Sequence, residues 1–516
     1  MRRGMAREVT VVAVIAAASL AVRLAAALSM DVFQDEPLYW WQAYGSVSFC
    51  PHPPVVALMV RLGTAMLGRN VAGLRMGSLL AGTAAVVMAY VLARRIYGGR
   101  AGLWAAALFA SCPLFVALGT VTGPDAPLLF LWLLFMYAAW RGTEARSLAW
   151  WVAAGVVLAA GLYSKYMMVL AVPSLGVALV ASPRGRQALR SPGPWLAVLI
   201  GLALFVPVFL AWDAWHGWPA LGYHLVARHQ WKLNAGLIAD HVGTHLLALS
   251  PLLVVGIFWA LGRWWPLRRR SDWRCSWVAA FGWVPIVFFA LPSLFTERRM
   301  IRVQWDAVGY AAGIVAFALL LRERGVRGRR LRRRRRLGGA AIGLGATFVG
   351  ITLVTVMWPS LAFLVGSRPL TARMIGWREL ADDVRRLQAA PEGRSRFLLT
   401  ESFRTAFCLS FRLGVREGIY TLAHERNMRY GLEEELSRLG IDEAHMLAER
   451  AGQDALYVHE YHFSASRGAD DPPWRIYRLF SRVEQVGDSP VTLAGRQLRH
   501  YGLFRCHDLE PKPAVR

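Results

Sequence analysis

Cysteine and acidic residues are both scarce in this chain of 516 residues. Its five cysteines are too few for a disulfide scaffold. Its 33 acidic residues are outnumbered by 59 basic ones, which gives a formal net charge of +26. Such a charge suggests nucleic acid, but much of the excess lies in short loops between apolar runs. We therefore predict a lipid bilayer as the partner and no nucleic acid.

Apolar residues make up 56% of the chain and recur in runs of about 20, long enough to cross a bilayer as helices. This pattern predicts a polytopic α-helical membrane protein. The first run follows Arg2, Arg3 and Arg7, so a cleaved signal peptide is the alternative to an uncleaved first span. We predict about eleven spans, at residues 9–29, 73–93, 101–118, 126–140, 147–163, 166–182, 195–212, 240–262, 276–293, 306–321 and 338–358.

Every second loop between these runs is rich in arginine, most clearly at Arg332 to Arg336. The positive-inside rule then places the N-terminus in the cytoplasm and the C-terminal segment outside. The high arginine and alanine content is compatible with a GC-rich bacterial genome, so we expect the bacterial inner (plasma) membrane. Residues 55–67 are too few to span and predict an amphipathic helix on the outer surface.

The character of the chain changes after Trp358-Pro359. We predict a transmembrane domain at residues 1–358 and an extracytoplasmic soluble α/β domain at residues 359–516. Short apolar runs near Phe397 and Tyr457 predict strands, and helical patterns such as Phe403 to Leu413 lie between them. Whether Cys408 and Cys506 pair in this compartment is left open by the sequence.

The loops on the predicted outer side collect acids, histidines and lysines. Asp35 and Glu36 follow the first run, and the alternative for them is a helix start, where acids and proline are favoured. Lys165 and Lys232 are the only lysines before residue 359. Lys165 suits a phosphate as a point charge, or else anchors a helix at the interface. His241 and His245 have the spacing of metal ligands but lack an adjacent glutamate.

Four motifs follow one another along the chain: Asp35-Glu36-Pro37-Leu38-Tyr39-Trp40, His52-Pro53-Pro54, Pro124-Asp125-Ala126-Pro127-Leu128 and Ser164-Lys165-Tyr166. In this order they resemble the dolichyl-phosphate-mannose protein mannosyltransferase superfamily. The resemblance covers roughly residues 8–380, and the bacterial branch of aminoarabinose, galacturonic acid and mannose transferases fits best. It implies a GT-C fold. His52 departs from the pattern, because some relatives carry lysine before this proline pair.

The resemblance implies an enzyme that moves a sugar from a polyprenyl-phosphate donor to a hydroxyl acceptor on a glycan, lipid or protein. The transfer would invert the configuration of the anomeric carbon in a single displacement. The resemblance also implies that the sugar is a hexose or a pentose, so that the chain is a hexosyl or pentosyl transferase. Asp35 is the expected base, Asp125 would support it, and Glu36 would bind a metal or sugar hydroxyls. A divalent metal ion is left open.

Cations and aromatic side chains complete the expected site. Developing charge on the leaving phosphate needs positive groups beside it. The substrate-binding residues that we expect are Tyr39, His52, Lys165, Arg298, Arg299 and Trp305. The alternative function is a transporter or flippase of lipid-linked or anionic solutes. Such proteins place charges near the bilayer midplane and often have paired halves, and the sequence lacks an evident repeat.

Overall fold

The structure is a computed structural model that describes residues 2–45, 47–222, 236–265, 272–293, 303–323, 325–363, 373–389, 397–424, 427, 432–461 and 475–510. Helices dominate as far as Met357. They are α1 Arg2–Ser29, α2 Glu36–Tyr44, α3 Val55–Leu67, α4 Val71–Tyr97, α5 Gly99–Ala110, α6 Pro113–Leu118, α7 Asp125–Ala145, α8 Leu148–Ser164, α9 Ala171–Val180, α10 Pro183–Leu189, α11 Pro192–Trp215, α12 Pro219–Leu221, α13 Gly236–Leu249, α14 Pro251–Arg263, α15 Trp273–Ser293, α16 Ala307–Leu320 and α17 Gly328–Met357. Two short 3-10 helices, Tyr166–Leu170 and Pro359–Phe363, adjoin α9 and α17.

Each of the eleven apolar runs is helical, so the multi-pass membrane architecture is confirmed, but eleven crossings are not. Among the described residues, six helices are long and apolar enough to cross a membrane, or eight if each of two bent helix pairs counts as one span. α16 has only 14 residues and reaches about 21 Å at 1.5 Å per residue, less than the hydrocarbon thickness of about 30 Å. The predicted count of eleven is therefore higher than six or eight because some of the apolar runs form helices too short to cross a membrane.

The segment between α1 and α4 forms two short helices instead of a span. α2 begins at Glu36, with Pro37 in its first turn, where the missing N–H costs nothing. α3 covers residues 55–67, the range that the sequence predicts for a surface helix. Its apolar face packs against α2 and α4, while Leu58, Leu62 and Met66 are exposed on the other side. Residues 30–35, which contain Asp31 and Asp35 and are called the acidic loop below, thus lie between α1 and this helical pair.

The C-terminal segment folds around one five-stranded sheet in the order β2-β1-β3-β5-β4. β1, β2 and β3 are parallel, β5 is antiparallel to β3, and β4 is antiparallel to β5. The register sets Leu398 beside both Ile419 and Leu456. The elements are α18 Trp377–Ala389, β1 Phe397–Thr400, α19 Phe403–Leu413, β2 Ile419–Thr421, α20 Leu432–Arg438, α21 Glu443–Glu449, β3 Ala455–Tyr461, α22 Ile476–Leu479, β4 Phe480–Leu493 and β5 Arg496–Leu509.

One hydrophobic core joins this sheet domain to the helices that follow the acidic loop. Its members come from α2, α3, α18, α19 and one face of the sheet, and they include Leu38, Tyr39, Trp40, Trp41, Val56, Val60, Trp377, Leu380, Phe403, Phe407, Leu456 and Leu503. The boundary near residue 358 therefore marks a change in the sequence, but this core contains residues from both sides of it. Cys408 lies in the same cluster and Cys506 in a separate one, and both thiols are free and buried.

Helix α19 makes the closest contacts across this shared core. Trp41 donates from Nε1 to Ser410 Oγ at 2.8 Å, and its ring lies 5.4 Å from that of Phe407. Trp40 meets Phe411 edge to face, with ring centroids 5.5 Å apart. Arg69, between α3 and α4, donates to the carbonyl of Phe411 near the C-terminal end of α19. α19 is thus fixed along its length to the membrane part of the chain.

Replacing Trp41 with alanine should destabilise the whole protein by about 3–5 kcal/mol, because a large buried ring and its hydrogen bond are both lost. Thermal unfolding of the purified protein in detergent measures this as a lower midpoint. Trp215→Ala is the matched control, since that side chain is 88% exposed at the end of α11. Equal midpoints for Trp41→Ala and the wild type would contradict a core shared by the two parts.

Candidate functional site

Glu36 and Arg75 form a fully buried ion pair at the base of the acidic loop, with Arg75 Nη2 2.6 Å from Glu36 Oε2. Arg75 Nε donates to the other oxygen at 2.8 Å, so the contact is bidentate. The backbone N–H groups of Phe33 and Thr122 each donate to this carboxylate at 2.7 Å. Arg75 also donates to the carbonyls of Ala27, Met30 and Asp31. The pair therefore joins α1, the acidic loop, α4 and the loop before α7.

This geometry changes the role expected for Glu36. A buried carboxylate that accepts four hydrogen bonds has no face turned toward a sugar or a metal ion. The structure therefore does not support the predicted direct contact of Glu36 with a metal ion or with sugar hydroxyls. Glu36 instead fixes the backbone on both sides of itself.

Asp35, the neighbouring acid, lies at the surface of the loop and immediately precedes α2. Its side chain is 42% exposed, and its Oδ1 accepts a hydrogen bond from Arg404 Nε at 2.7 Å. Arg404 is in the first turn of α19 and is 31% exposed. Two adjacent acids thus have opposite environments, and only Asp35 is open to a bound molecule.

Asp125 begins α7 and is paired with Lys165, whose Nζ lies 2.6 Å from its Oδ1. Ser164, next to Lys165, donates from Oγ to the carbonyl of Pro124 at 3.0 Å. These two bonds join the end of α8 to the start of α7. The structure therefore brings together two of the predicted site residues. Lys165, which the sequence suggests as a phosphate-binding cation, forms an ion pair with Asp125, the acid expected to support the base.

Tyr39 lies in α2, one helical turn after Asp35. Burial first, and then the charges of Asp35, Asp125 and Glu36, raise the pKa of its phenol. The ring stacks on His52, with centroids 6.3 Å apart. Tyr39 therefore remains a neutral hydrogen-bonding group at neutral pH, and His52 is placed beside it.

A second acid of this loop, Asp31, is held by the C-terminal domain. Arg412 of α19 binds its Oδ1, and the backbone N–H of Arg378 donates to Oδ2 at 3.1 Å. Between Arg404 and Arg412 on α19, the Cys408 thiol donates to the carbonyl of Gln34 at 3.7 Å. Residues 404, 408 and 412 are spaced by one turn each, so one stripe of α19 lies along residues 31–35.

The remaining predicted residues lie elsewhere or outside the described part. Trp305 precedes α16 and packs near Phe289, and its contact with substrate stays a prediction. Arg298 and Arg299 are outside the described residues. His245 lies 3.0 Å from Asp306, and the side chain of His241 is outside the described set. Within the described residues, no group of three histidine, cysteine or acidic side chains is arranged to hold a metal ion.

Sequence reasoning missed both arginines that contact the acidic pair. Arg75 lies inside a span and Arg404 in the outer domain, in a chain where arginine is common. A weak signal existed for Arg75, because a charge within an apolar run is costly unless it is paired. For Arg404, 369 positions from Asp35 in sequence, the pairing depends on how the domain docks.

The arrangement provides an exposed carboxylate, a neighbouring cation and a buried phenol next to the apolar helices. Residues 51–212 match the family described as dolichyl-phosphate-mannose-protein mannosyltransferase. The chain is 24% identical over 308 residues to the lipid A galacturonosyltransferase RgtD of Rhizobium johnstonii, covering 58% of this chain and 63% of that one. ArnT from Cupriavidus metallidurans bound to undecaprenyl phosphate has a TM-score of 0.61 and 16% identity, over 96% of this chain and 97% of that one. The chain therefore resembles glycosyltransferases of the GT-C superfamily in sequence and in fold.

Another relative is the undecaprenyl phosphate-alpha-4-amino-4-deoxy-L-arabinose arabinosyl transferase of Pseudomonas aeruginosa. It is 30% identical over 252 residues, which cover 45% of this chain and 44% of that one. The chain thus spans less than two thirds of the length of these curated relatives. The GT-C fold and the aminoarabinose and galacturonic acid transferase branch, both expected from the motifs, are confirmed.

Replacing Glu36 with glutamine should lower stability by about 3–5 kcal/mol, because Arg75 is then left buried without its counter-charge. The double variant Glu36→Gln/Arg75→Met should recover part of the loss, since no buried charge remains. Thermal unfolding in detergent measures both effects. A Glu36→Gln protein with wild-type stability and no activity would contradict this positioning role and restore direct contact with substrate.

Proposed function

We propose that the protein is an integral membrane glycosyltransferase that moves a sugar from a polyprenyl-phosphate donor to a hydroxyl acceptor. The observation that carries the proposal is the exposed Asp35 carboxylate beside Arg404, on a loop fixed by a buried ion pair. A base and a cation at one position are what such a transfer needs. The similarity to GT-C glycosyltransferases supports the same reaction class.

In the proposed step, the acceptor oxygen attacks the anomeric carbon from the face opposite the phosphate. The bond between carbon and the phosphate oxygen breaks as the new glycosidic bond forms, so the configuration inverts. Asp35 takes the proton from the acceptor hydroxyl and later releases it to water. The donor phosphodiester carries one negative charge and the leaving polyprenyl phosphate carries two after loss of the sugar. Cations beside the phosphate therefore stabilise the transition state more than the bound donor.

Asp125 and Lys165 act as one neutral unit, close enough to Tyr39 for the charge of Asp125 to act on its phenol. Lys165 fixes the orientation of the Asp125 carboxylate, whose Oδ1 it holds at 2.6 Å. The second oxygen of Asp125 then serves to orient an acceptor or sugar hydroxyl, and the Tyr39 phenol is a neutral donor beside it. His52, stacked on Tyr39, narrows the same space.

The site faces the extracytoplasmic side of a bacterial inner membrane, with the N-terminus in the cytoplasm. The alternation of arginine-rich loops supports this orientation. The donor is a pentose or hexose on undecaprenyl phosphate, since undecaprenyl phosphate is part of the name of the Pseudomonas relative. The name of RgtD contains lipid A, which is a lipid. A lipid hydroxyl is the acceptor class that these names favour.

Asp35→Asn should reduce turnover by about 10²- to 10⁴-fold, the usual contribution of a general base. The assay follows release of undecaprenyl phosphate from a panel of undecaprenyl-phosphate sugars in detergent, where a transporter or flippase forms no product. Binding of the donor should persist in the variant, because Asp35 acts on the acceptor proton.

Asp382→Asn is the matched control for this experiment. Asp382 is an exposed acid on α18, and its loss should leave both turnover and stability within error of the wild type. Full activity in Asp35→Asn would refute the assignment of the base. Failure of the wild type to release undecaprenyl phosphate from every donor would refute the proposed reaction.

A further inference from the structure

Two arginines of α19 bind two acids of the same loop, and their environments differ. The Arg412–Asp31 pair is largely buried, with 14% and 11% of the two side chains exposed. The Arg404–Asp35 pair is 31% and 42% exposed. Asp31 also accepts hydrogen bonds from the backbone N–H groups of Val32 and Arg378. One pair is therefore built into the structure, whereas the other lies at its solvent-facing edge.

Exposure decides which pair can be exchanged for another partner. Breaking a buried ion pair costs about 3–5 kcal/mol, because a charge is left without compensation. A partly exposed pair contributes about 0–1 kcal/mol, since water replaces the lost partner. Arg404 can thus leave Asp35 at small cost, while Arg412 cannot leave Asp31 in the folded protein.

The backbone beneath Arg404 is fixed even though its side chain is partly exposed. Ser402 caps α19 by accepting from the Arg404 N–H, and Asn427 accepts from the N–H of Phe403 at 3.0 Å. Asn427 in turn donates to the carbonyls of Glu401 and Leu422. The N-terminal end of α19 also adds the positive end of the helix dipole at this place. Movement is therefore confined to the guanidinium and its stem.

From these contacts we propose that Arg404 is the exchangeable cation of the active site, supplied by the C-terminal domain. Before the donor binds, it neutralises Asp35; when a polyprenyl phosphate arrives, the guanidinium turns to the phosphate and leaves the Asp35 carboxylate to accept the acceptor's proton. This inference rests on the proposed function, since it names a contact of the same site.

Electrostatics explains why a movable cation is needed there. The phosphodiester and the Asp35 carboxylate are both anions, and the reaction requires them to lie within a few ångströms of each other. Their repulsion is reduced if the cation shared with Asp35 moves between them. Guanidinium also binds phosphate through two parallel N–H groups, whereas a lysine provides a point charge. Lys165 is held by Asp125 in a largely buried pair, so Arg404 is the better placed of these two cations to move to the phosphate.

Binding of undecaprenyl phosphate to the full-length protein in lipid nanodiscs tests the proposal without any sugar transfer. Arg404→Gln should weaken binding by about tenfold or more while the unfolding midpoint stays near that of the wild type. Arg404→Lys should recover part of the affinity. Asp35→Asn should bind several-fold more tightly than the wild type, because the competing carboxylate is gone.

Arg412→Gln is the matched control, because it removes an arginine from the same stripe of the same helix. It should lower the unfolding midpoint, and the protein that remains folded should bind undecaprenyl phosphate as the wild type does. If Arg404→Gln binds like the wild type, or loses affinity only along with stability, the exchange is refuted and the proposed reaction stands. If the wild type itself binds no undecaprenyl phosphate, both proposals fall.

Discussion

The ion pair of Glu36 and Arg75 is the constraint on which the rest of the candidate site depends. A charge inside a membrane protein is costly unless its partner and its hydrogen bonds are supplied together. Here Arg75 donates to the Glu36 carboxylate and to three carbonyls near the end of α1, while Glu36 also accepts from Phe33 and Thr122. Four parts of the chain therefore meet at one neutral, satisfied centre. Asp35, one residue away, takes its position from it.

The C-terminal domain is built onto this centre through α19. The shared hydrophobic core supplies most of the driving force, since Trp40 and Trp41 are buried between α2 and α19. The stripe at residues 404, 408 and 412 then sets the register of the helix along the loop. Because the core crosses the boundary near residue 358, the domain packs as one unit with the helices beside the acidic loop, and its position brings Arg404 to Asp35.

Sequence patterns predicted much of the fold and the neighbourhood of the site. The eleven apolar runs are helical, α3 and α19 have the predicted bounds, and Asp125 lies beside Lys165. The sequence could not separate Asp35 from Glu36, because adjacent acids at a helix start have the same local pattern. Their difference comes from Arg75 and Arg404, which contact them from distant parts of the chain. Nor could periodicity give the number of crossings, because short and bent apolar helices have the same composition as spans.

The excess of arginine in this chain does not by itself identify the cation that acts. Many arginines before residue 359 cluster between the apolar runs, as the positive-inside rule predicts, and others are structural, as Arg75 and Arg412 are. What distinguishes a cation that can serve a substrate is a partner it can leave at low cost, close to the reacting group. Among the cations that contact the acids of this site, Arg404 meets both conditions, because its pair with Asp35 is the most exposed of the four. Stability and function are thus divided among neighbouring ion pairs according to burial: the buried pairs hold the loop and the domain in place, and the exposed pair is left available for chemistry.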